Sequence, residues 1–186
     1  MFDNDYHLVG KHAKYVRFLN AYTSKLDKEA KVAGIFEYAV DVYIIAPLIG
    51  IAYNRRAPVD TESDDKGAPP LNILASQIIS RQAKLDTVYR LAMLSEKSTV
   101  LSPDERMERA FKEDELPEKA DANMELFHQY MRGGVEWLYE HITEEATTQD
   151  DYLGKIKEIV SLYADDFELP LSRDMENVIK TNKTSP

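Results

Sequence analysis

The sequence predicts an all-α fold, a single domain over residues 1–186 in which about six or seven helices pack around a central apolar helix. Apolar residues recur at intervals of three and four positions along most of the chain, which is the period of an α-helix. The Asn-Gly and Asp-Gly pairs that favour β-hairpin turns do not occur in the sequence. With 44% apolar residues in 186 positions, the chain can bury one core of its own.

Composition excludes several classes of protein before any motif is considered. The chain has no cysteine, which excludes disulfides, thiolate metal sites and cysteine nucleophiles. A formal net charge of −10 argues against direct nucleic-acid binding, because such binding needs Lys and Arg to neutralise phosphates. The first residues carry acids and no basic, apolar leader, so we expect a cytoplasmic protein without a secretory signal.

Two helices are predicted in the first third of the chain. Apolar spacing predicts an amphipathic helix over Gly10–Tyr22. Ile35–Tyr53 is apolar on almost every side, which is typical of a central helix with neighbours all round. Pro47 lies within it and predicts a kink, because proline cannot donate to the carbonyl four residues back. Gly50, near the kink, would allow another backbone to approach closely.

The same apolar element has two other interpretations. Val42–Tyr53 is a run of twelve uncharged residues, well short of the roughly 20 that a membrane-spanning helix needs. Its β-branched residues would also suit two short strands on either side of Pro47, but such strands would lack partners among helices. We therefore predict a buried helix and no membrane contact.

A loop and two helices are predicted next. Residues 54–70 hold three prolines and many short polar side chains, which predicts a mobile loop. Leu71–Ser95 has the spacing of one helix of about 20 residues. Residues 102–105 (Ser-Pro-Asp-Glu) match a capping box with proline at the first helical position. They should open a short helix that ends before Pro117.

The last part of the chain predicts further helical segments. Asp121–Thr143 has helical spacing, but Gly133-Gly134 interrupts it, so we expect the helix to bend or divide there. Asp150–Tyr163 predicts another amphipathic helix. Ser172 is expected to cap a last short turn, and residues 180–186 to form a frayed tail.

The excess negative charge is concentrated in one segment. Residues 96–151 hold 16 acidic residues against six basic ones, which accounts for the entire net charge. The plainest interpretation is a solvated outer face. A second is a docking surface for a basic protein partner, since such a field accelerates association. A third is imitation of nucleic-acid phosphates, which would inhibit a DNA-binding protein.

Two patterns suggest metal chemistry. Glu125 and His128 form a Glu-x-x-His pair whose side chains share a helix face, as in di-iron carboxylate bundles. A complete site of that kind needs a second such pair, which the sequence lacks. Separately, the acids at 104, 105 and 108 followed by those at 118 and 121 resemble the magnesium-binding acids of all-α nucleotide pyrophosphohydrolases. That resemblance implies carboxylate ligands for Mg²⁺ on neighbouring helices.

The central helix contains two acids, Glu37 and Asp41, spaced to share a face. A carboxylate in an apolar helix is costly unless it is paired, so we expect a structural ion pair with an arginine. The alternative is a polar pocket at the proline kink, in which a carboxylate with a shifted pKa would serve acid–base chemistry. The arginines available as partners are Arg55, Arg56, Arg81, Arg90 and Arg132.

These observations favour a non-enzymatic helical subunit or adaptor of a larger assembly, presenting segment 96–151 to a protein partner, expected to be basic. We expect self-association and no cofactor. The alternatives are a carboxylate-bound metal enzyme, with Glu37, Asp41, Glu125 and His128 as candidate ligands, and an acidic nucleic-acid mimic. Trp137 follows helical spacing and is expected in the core or an interface. The predicted binding residues are Glu37, Asp41, Arg55, Arg56, Arg132 and Trp137.

Overall fold

The computed structural model describes residues 1–21, 33–96 and 100–162, and within them the protein is mostly helical, as predicted. Two short strands and a 3₁₀ turn (Glu113–Glu115) accompany the helices. The strands are β1 (Tyr6–Leu8) and β2 (Leu71–Ile73). The helices are α1 (Gly10–Leu19), α2 (Ala39–Ala52), α3 (Ala75–Ile79), α4 (Gln82–Ser95), α5 (Pro103–Phe111), α6 (Pro117–Thr143) and α7 (149–162).

The chain divides into two compact units, Met1–His141 and Ile142–Pro186. In the first unit, α2 packs against α1 and α4, and α4 packs against α5. The single-domain organisation therefore stays a prediction. The turn expected after Ser172 and the tail over 180–186 lie outside the described residues.

The central helix forms as predicted and is buried along most of its length. Eight of the 14 residues of α2 are buried, among them Tyr43 and Pro47. Pro47 lies inside α2 without ending it, and the kink expected there stays a prediction. Within the described residues, no helix is both long and apolar enough to cross a membrane.

An aromatic cluster forms part of the core of the first unit. The ring of Phe2 meets three rings edge to face, with centroids 6.4 Å from Tyr43, 6.2 Å from Tyr89 and 5.4 Å from Phe127. Such edge-to-face pairs are favoured by the ring quadrupoles. The N-terminal segment is therefore fixed to α2, α4 and α6 by one side chain.

The single helix predicted over Leu71–Ser95 is wrong. Leu71–Ile73 pairs antiparallel with β1, with Tyr6 opposite Ile73. The remaining residues divide into α3 and α4. The Asp5 carboxylate accepts the backbone N–H of Ala75 at 2.7 Å, so a residue 70 positions away satisfies the start of α3. Apolar periodicity does not reveal these contacts, because they are tertiary.

A division of the helix at Gly133-Gly134 is wrong, because α6 continues through both glycines; the bend expected as the other outcome stays a prediction. A Cβ on Gly134 would lie 1.8 Å from the carbonyl oxygen of Ala46, and one on Gly50 would lie 2.1 Å from that of Tyr130. The backbones of α2 and α6 therefore meet directly at these positions. The close approach predicted at Gly50 is confirmed.

The capping box of α5 is confirmed. The hydroxyl of Ser102 accepts the N–H of Glu105 at 3.3 Å, and the Glu105 carboxylate accepts the N–H of Ser102 at 2.7 Å. Pro103 occupies the first helical position, where its missing N–H costs nothing. The reciprocal bonds fix where α5 begins.

Candidate functional site

Arg132 on α6 is 3% exposed and is bound at three of its nitrogen atoms. Its Nε donates to the carbonyl of Ala57 at 2.9 Å, one Nη donates to the hydroxyl of Tyr6 at 3.2 Å, and the other to Glu125 Oε1 at 2.6 Å. These bonds tie two segments to α6: the loop between α2 and β2, residues 53–70 (the 53–70 loop), and strand β1. Arg132 thus serves internal structure, with its donors directed at the protein.

His128, one turn before Arg132, is held between two tyrosines. Its Nε2 lies 2.8 Å from the hydroxyl of Tyr43, and its ring stacks on that of Tyr6 with centroids 4.1 Å apart. Burial, and then the positive charge of Arg132, lower the pKa of His128 from 6.5 to about 3. His128 is therefore neutral at physiological pH.

The Glu-x-x-His pair does not converge on a shared site. Glu125 binds Arg132, and His128 Nε2 meets the hydroxyl of Tyr43. Within the described residues, no group of three or more His, Asp and Glu side chains is arranged to hold a metal ion. The acids at 104, 105, 108, 118 and 121, which resemble the magnesium ligands of the pyrophosphohydrolases, are therefore not arranged as a metal site. Glu105 instead caps α5.

Arg55 belongs to a network of charges along one side of α6. Its guanidinium makes two bonds of 2.6 Å to the Glu140 carboxylate and lies 3.5 Å from Glu136. Glu136 also accepts from Lys11 Nζ and His12 Nε2, both at 2.9 Å. Burial favours a raised pKa for Glu136, but the bonds from His12 and Lys11 outweigh it and lower the pKa to about 2.

His12 is the most buried member of this network, with 1% of its surface exposed. Within the described residues, its Nδ1 has no hydrogen-bond partner. A proton on Nε2, donated to Glu136, leaves only a lone pair unpaired at Nδ1, which costs less than a buried N–H. The network therefore favours that tautomer.

Arg56 belongs to a second network around Glu96, the first residue of the acidic segment. Glu96 is 1% exposed. Its carboxylate lies 3.7 Å from Arg56 and 3.6 Å from Arg109, and Arg106 donates to its backbone carbonyl. The Arg56 guanidinium also lies 5.9 Å from the centroid of Tyr130. Glu96 is therefore a structural anion at the centre of three arginines.

Trp137 is packed among aromatic rings, as expected for a core or interface residue. It is 6% exposed and stacks between Tyr53, at 4.4 Å between centroids, and His141, at 3.8 Å. Tyr53 is 45% exposed. Of the three side chains in this stack, Tyr53 is the most exposed.

The interpretation of Glu37 and Asp41 as a pair on the central helix is wrong. Glu37 precedes α2 by two residues and is exposed. Asp41 lies in the first turn, where its carboxylate accepts the N–H of Tyr38 at 3.1 Å. Among the described residues neither forms an ion pair. Of the arginines expected as their partners, Arg55 binds Glu136 and Glu140, Arg56 binds Glu96, and Arg132 binds Glu125. The guanidinium of Arg90 lies instead 4.9 Å from the centroid of the Phe111 ring.

Three carboxylates that organise these contacts were missed as candidates: Glu96, Glu136 and Asp60. Glu136 stands alone among apolar residues in the sequence Gly-Gly-Val-Glu-Trp-Leu, which is the signal that was available. His12 lies on the apolar face of α1, four residues before Val16. No comparable apolar context marks Glu96 or Asp60, and the bond from Asp60 to α1 comes from Lys11, 49 positions away.

The exposed acids of the acidic segment lie mainly on α5, at the start of α6 and after α6. On α5, Asp104 and Glu108 are exposed one helical turn apart. They alternate with Met107 and Phe111, which are 52% and 48% exposed. The further exposed acids are Glu105, Glu115, Glu118, Asp121, Glu125, Glu140, Glu144, Glu145, Asp150 and Asp151.

The fold and these networks define a mostly helical protein in which the conspicuous polar side chains hold its own elements together. The model of the family described as DNA sulphur modification system-associated protein 4 matches residues 20–162, a range that includes α2 to α7. The chain therefore belongs to this family. No curated protein and no solved structure matches the chain.

Proposed function

We propose that the chain is an accessory, non-catalytic subunit that binds a protein component of a DNA sulphur modification system. Membership of a family named for association with such a system carries the proposal. The same membership supports a location where DNA is modified, in the cytoplasm. What the chain contributes is a surface for its partner.

The distribution of charge supports the choice of partner. The arginines Arg55, Arg56 and Arg132 face acids of this chain, whereas the acids of α5 face solvent. Proteins that bind DNA carry clustered Lys and Arg. A basic face of a DNA-modifying component is therefore complementary to the acidic face of this chain.

The test is co-expression of the tagged chain with the proteins of a DNA sulphur modification system, followed by affinity capture. We expect stoichiometric capture of one component at about 0.1 M salt and its loss at about 1 M, because the screening length falls from about 10 Å to about 3 Å. Capture of none of the components under either condition would overturn the proposal.

Charge reversal identifies the acids involved. The double variant Asp104→Lys/Glu108→Lys should reduce capture, because it replaces two attractive charges by repulsive ones. The matched control is Glu62→Lys/Asp64→Lys, which makes the same change at exposed positions of the 53–70 loop. Equal capture of both variants contradicts a role for α5. A further arm adds DNA fragments to the captured complex. If the DNA competes with the chain and releases the component, the result favours the nucleic-acid mimic instead.

A further inference from the structure

Helix α5 exposes an apolar row directly beside its acidic row. Met107 and Phe111 are one turn apart, as are Asp104 and Glu108. With about 100° of rotation per residue, the two rows lie about 60° apart on the helix surface. Half of each apolar side chain meets water, although the guanidinium of Arg90 lies 4.9 Å from the centroid of the Phe111 ring and covers part of it. Exposed apolar patches rimmed by polar residues mark interaction sites.

The surroundings of α5 leave room for a partner's side chains. Glu105 and Glu108 line a cleft of about 410 Å³ between α5 and the start of α6. The cleft's own cations are engaged, since Lys119 binds Glu113 at 2.7 Å and Arg109 binds Asn123 at 2.7 Å. A long cationic side chain from outside would find Glu108 at the edge of this cleft.

We propose that this α5 patch, defined as Asp104, Met107, Glu108 and Phe111, binds a cationic amphipathic helix of the partner protein. The proposal rests on the proposed function and specifies how the partner is recognised. A helix with an apolar row beside a row of Lys or Arg matches both rows at once, with ridges of one helix in grooves of the other. The apolar row supplies affinity, and the acidic row selects the sign of the partner's charge.

Two synthetic helical peptides test the recognition directly. Both carry leucines at i and i+4; one has lysines in the adjacent row and the other glutamates. Binding of each to the full chain is measured by fluorescence anisotropy. We expect the lysine peptide to bind and the glutamate peptide not to bind. Equal binding of the two peptides, or binding of neither, would overturn the proposal.

Matched variants locate the binding surface. Met107→Ser/Phe111→Ser and Asp104→Lys/Glu108→Lys should each weaken binding of the lysine peptide at least about tenfold, the loss typical of an interface anchor. The controls are Leu153→Ser/Val160→Ser, at 47% and 60% exposed positions, and Glu62→Lys/Asp64→Lys. These should bind as the unmodified chain does. Equal losses in the controls would show that the binding is non-specific.

Failure of this proposal is distinguishable from failure of the proposed function. Circular dichroism first confirms that the variants are helical, and Phe111→Ala alone serves as a milder replacement. If the modification-system component is captured by the Met107→Ser/Phe111→Ser variant as well as by the unmodified chain, the proposed function stands and the α5 patch is rejected. If no component is captured at all, the proposed function fails.

Discussion

Where α2 and α6 meet, their backbones are so close that a single added Cβ atom would overlap the neighbouring helix. Gly134 and Gly50 lie inside helices, where alanine is the better helix former by about 1 kcal/mol. At Gly134, however, an added Cβ would lie 1.8 Å from the carbonyl oxygen of Ala46, and backbone atoms cannot move aside cheaply. Steric overlap is the larger effect here. It explains why Gly134 lies in the middle of the 27-residue α6 and Gly50 lies inside α2.

Replacement of Gly134 by alanine should therefore lower the free energy of unfolding by about 2 kcal/mol or more, because the two helices must separate. Gly154→Ala is the control. A Cβ at Gly154, in α7, meets no described atom within 4 Å outside its own stretch of helix. That substitution should raise stability by up to about 1 kcal/mol. Urea unfolding measures both, and a similar change in the two variants would contradict the argument.

His128 should make the protein sensitive to mild acid. The pKa of His128 is 6.5 in the unfolded chain and about 3 in the folded one, so the unfolded state binds the proton first as pH falls. The stability it contributes is complete above pH 6.5 and decreases progressively towards pH 3. His128→Gln should flatten the dependence of the unfolding midpoint on pH between 6.5 and 4.5.

Glu136 provides the comparison in a lower pH window. Its pKa is 4.5 when unfolded and about 2 when folded, so its contribution is complete above pH 4.5 and lost between 4.5 and 2. Glu136→Gln should change the profile only below pH 4.5. Thermal melts across both windows distinguish the two groups. An unchanged slope between pH 6.5 and 4.5 in His128→Gln would show that His128 is not the sensor.

Among the helices and strands, those that depend on neighbouring residues were predicted correctly, and those that depend on distant residues were not. The start of α5 was predicted correctly because all of its capping atoms lie within residues 102–105. Strand β2 was missed because its partner, β1, precedes it by more than 60 residues and no turn signal joins them. The apolar residues of β2 also fit the helical spacing of the residues that follow, so the sequence predicted one helix over both.

The 53–70 loop shows how a distant residue secures an element. Asp60 accepts the N–H of Lys11 at 2.8 Å, at the start of α1, and the hydroxyl and N–H of Ser63 at 2.5 and 3.0 Å. The bonds from Lys11 and Ser63 hold the pKa of Asp60 well below its usual range. Asp60 thus satisfies one of the free N–H groups in the first turn of α1 from 49 positions away, which the sequence pattern does not indicate.

Replacement of Asp60 by alanine should cost about 1 kcal/mol of stability, typical for loss of a cap, and release the loop from α1. Trypsin should then cut after Lys66 faster than in the unmodified chain. Asp64→Ala, at an exposed position of the same loop, is the control. If both variants are cleaved at the rate of the unmodified chain, the prediction is contradicted. Contacts other than those of Asp60 are then sufficient to hold the loop.

At the scale of the whole molecule, net charge gave an incomplete description of the surface. The acidic segment includes Glu96 and Glu136, which are buried against arginine, lysine and histidine. Glu113, Glu125 and Glu140 are paired with cations of the same chain. The acids that remain for a partner are therefore fewer than the sequence total and include those of α5.

The predicted single domain can be tested by unfolding, because the single tryptophan lies in the first compact unit. Trp137 fluorescence reports on Met1–His141, whereas helical circular dichroism reports on both units. Because α6 runs without interruption through Thr143, we expect coincident urea transitions by the two probes. A second transition seen only by circular dichroism would show that residues 142–186 unfold separately.

The helical class, the buried central helix and the start of α5 could be predicted from the amino-acid order, because periodicity and capping depend on residues within a few positions of one another. The partners of the arginines, the reason for a glycine at position 134 and the set of acids that remain exposed became known from the folded chain. Those outcomes depend on atoms brought together from distant parts of the chain, and an ion pair or a backbone contact leaves no periodic pattern.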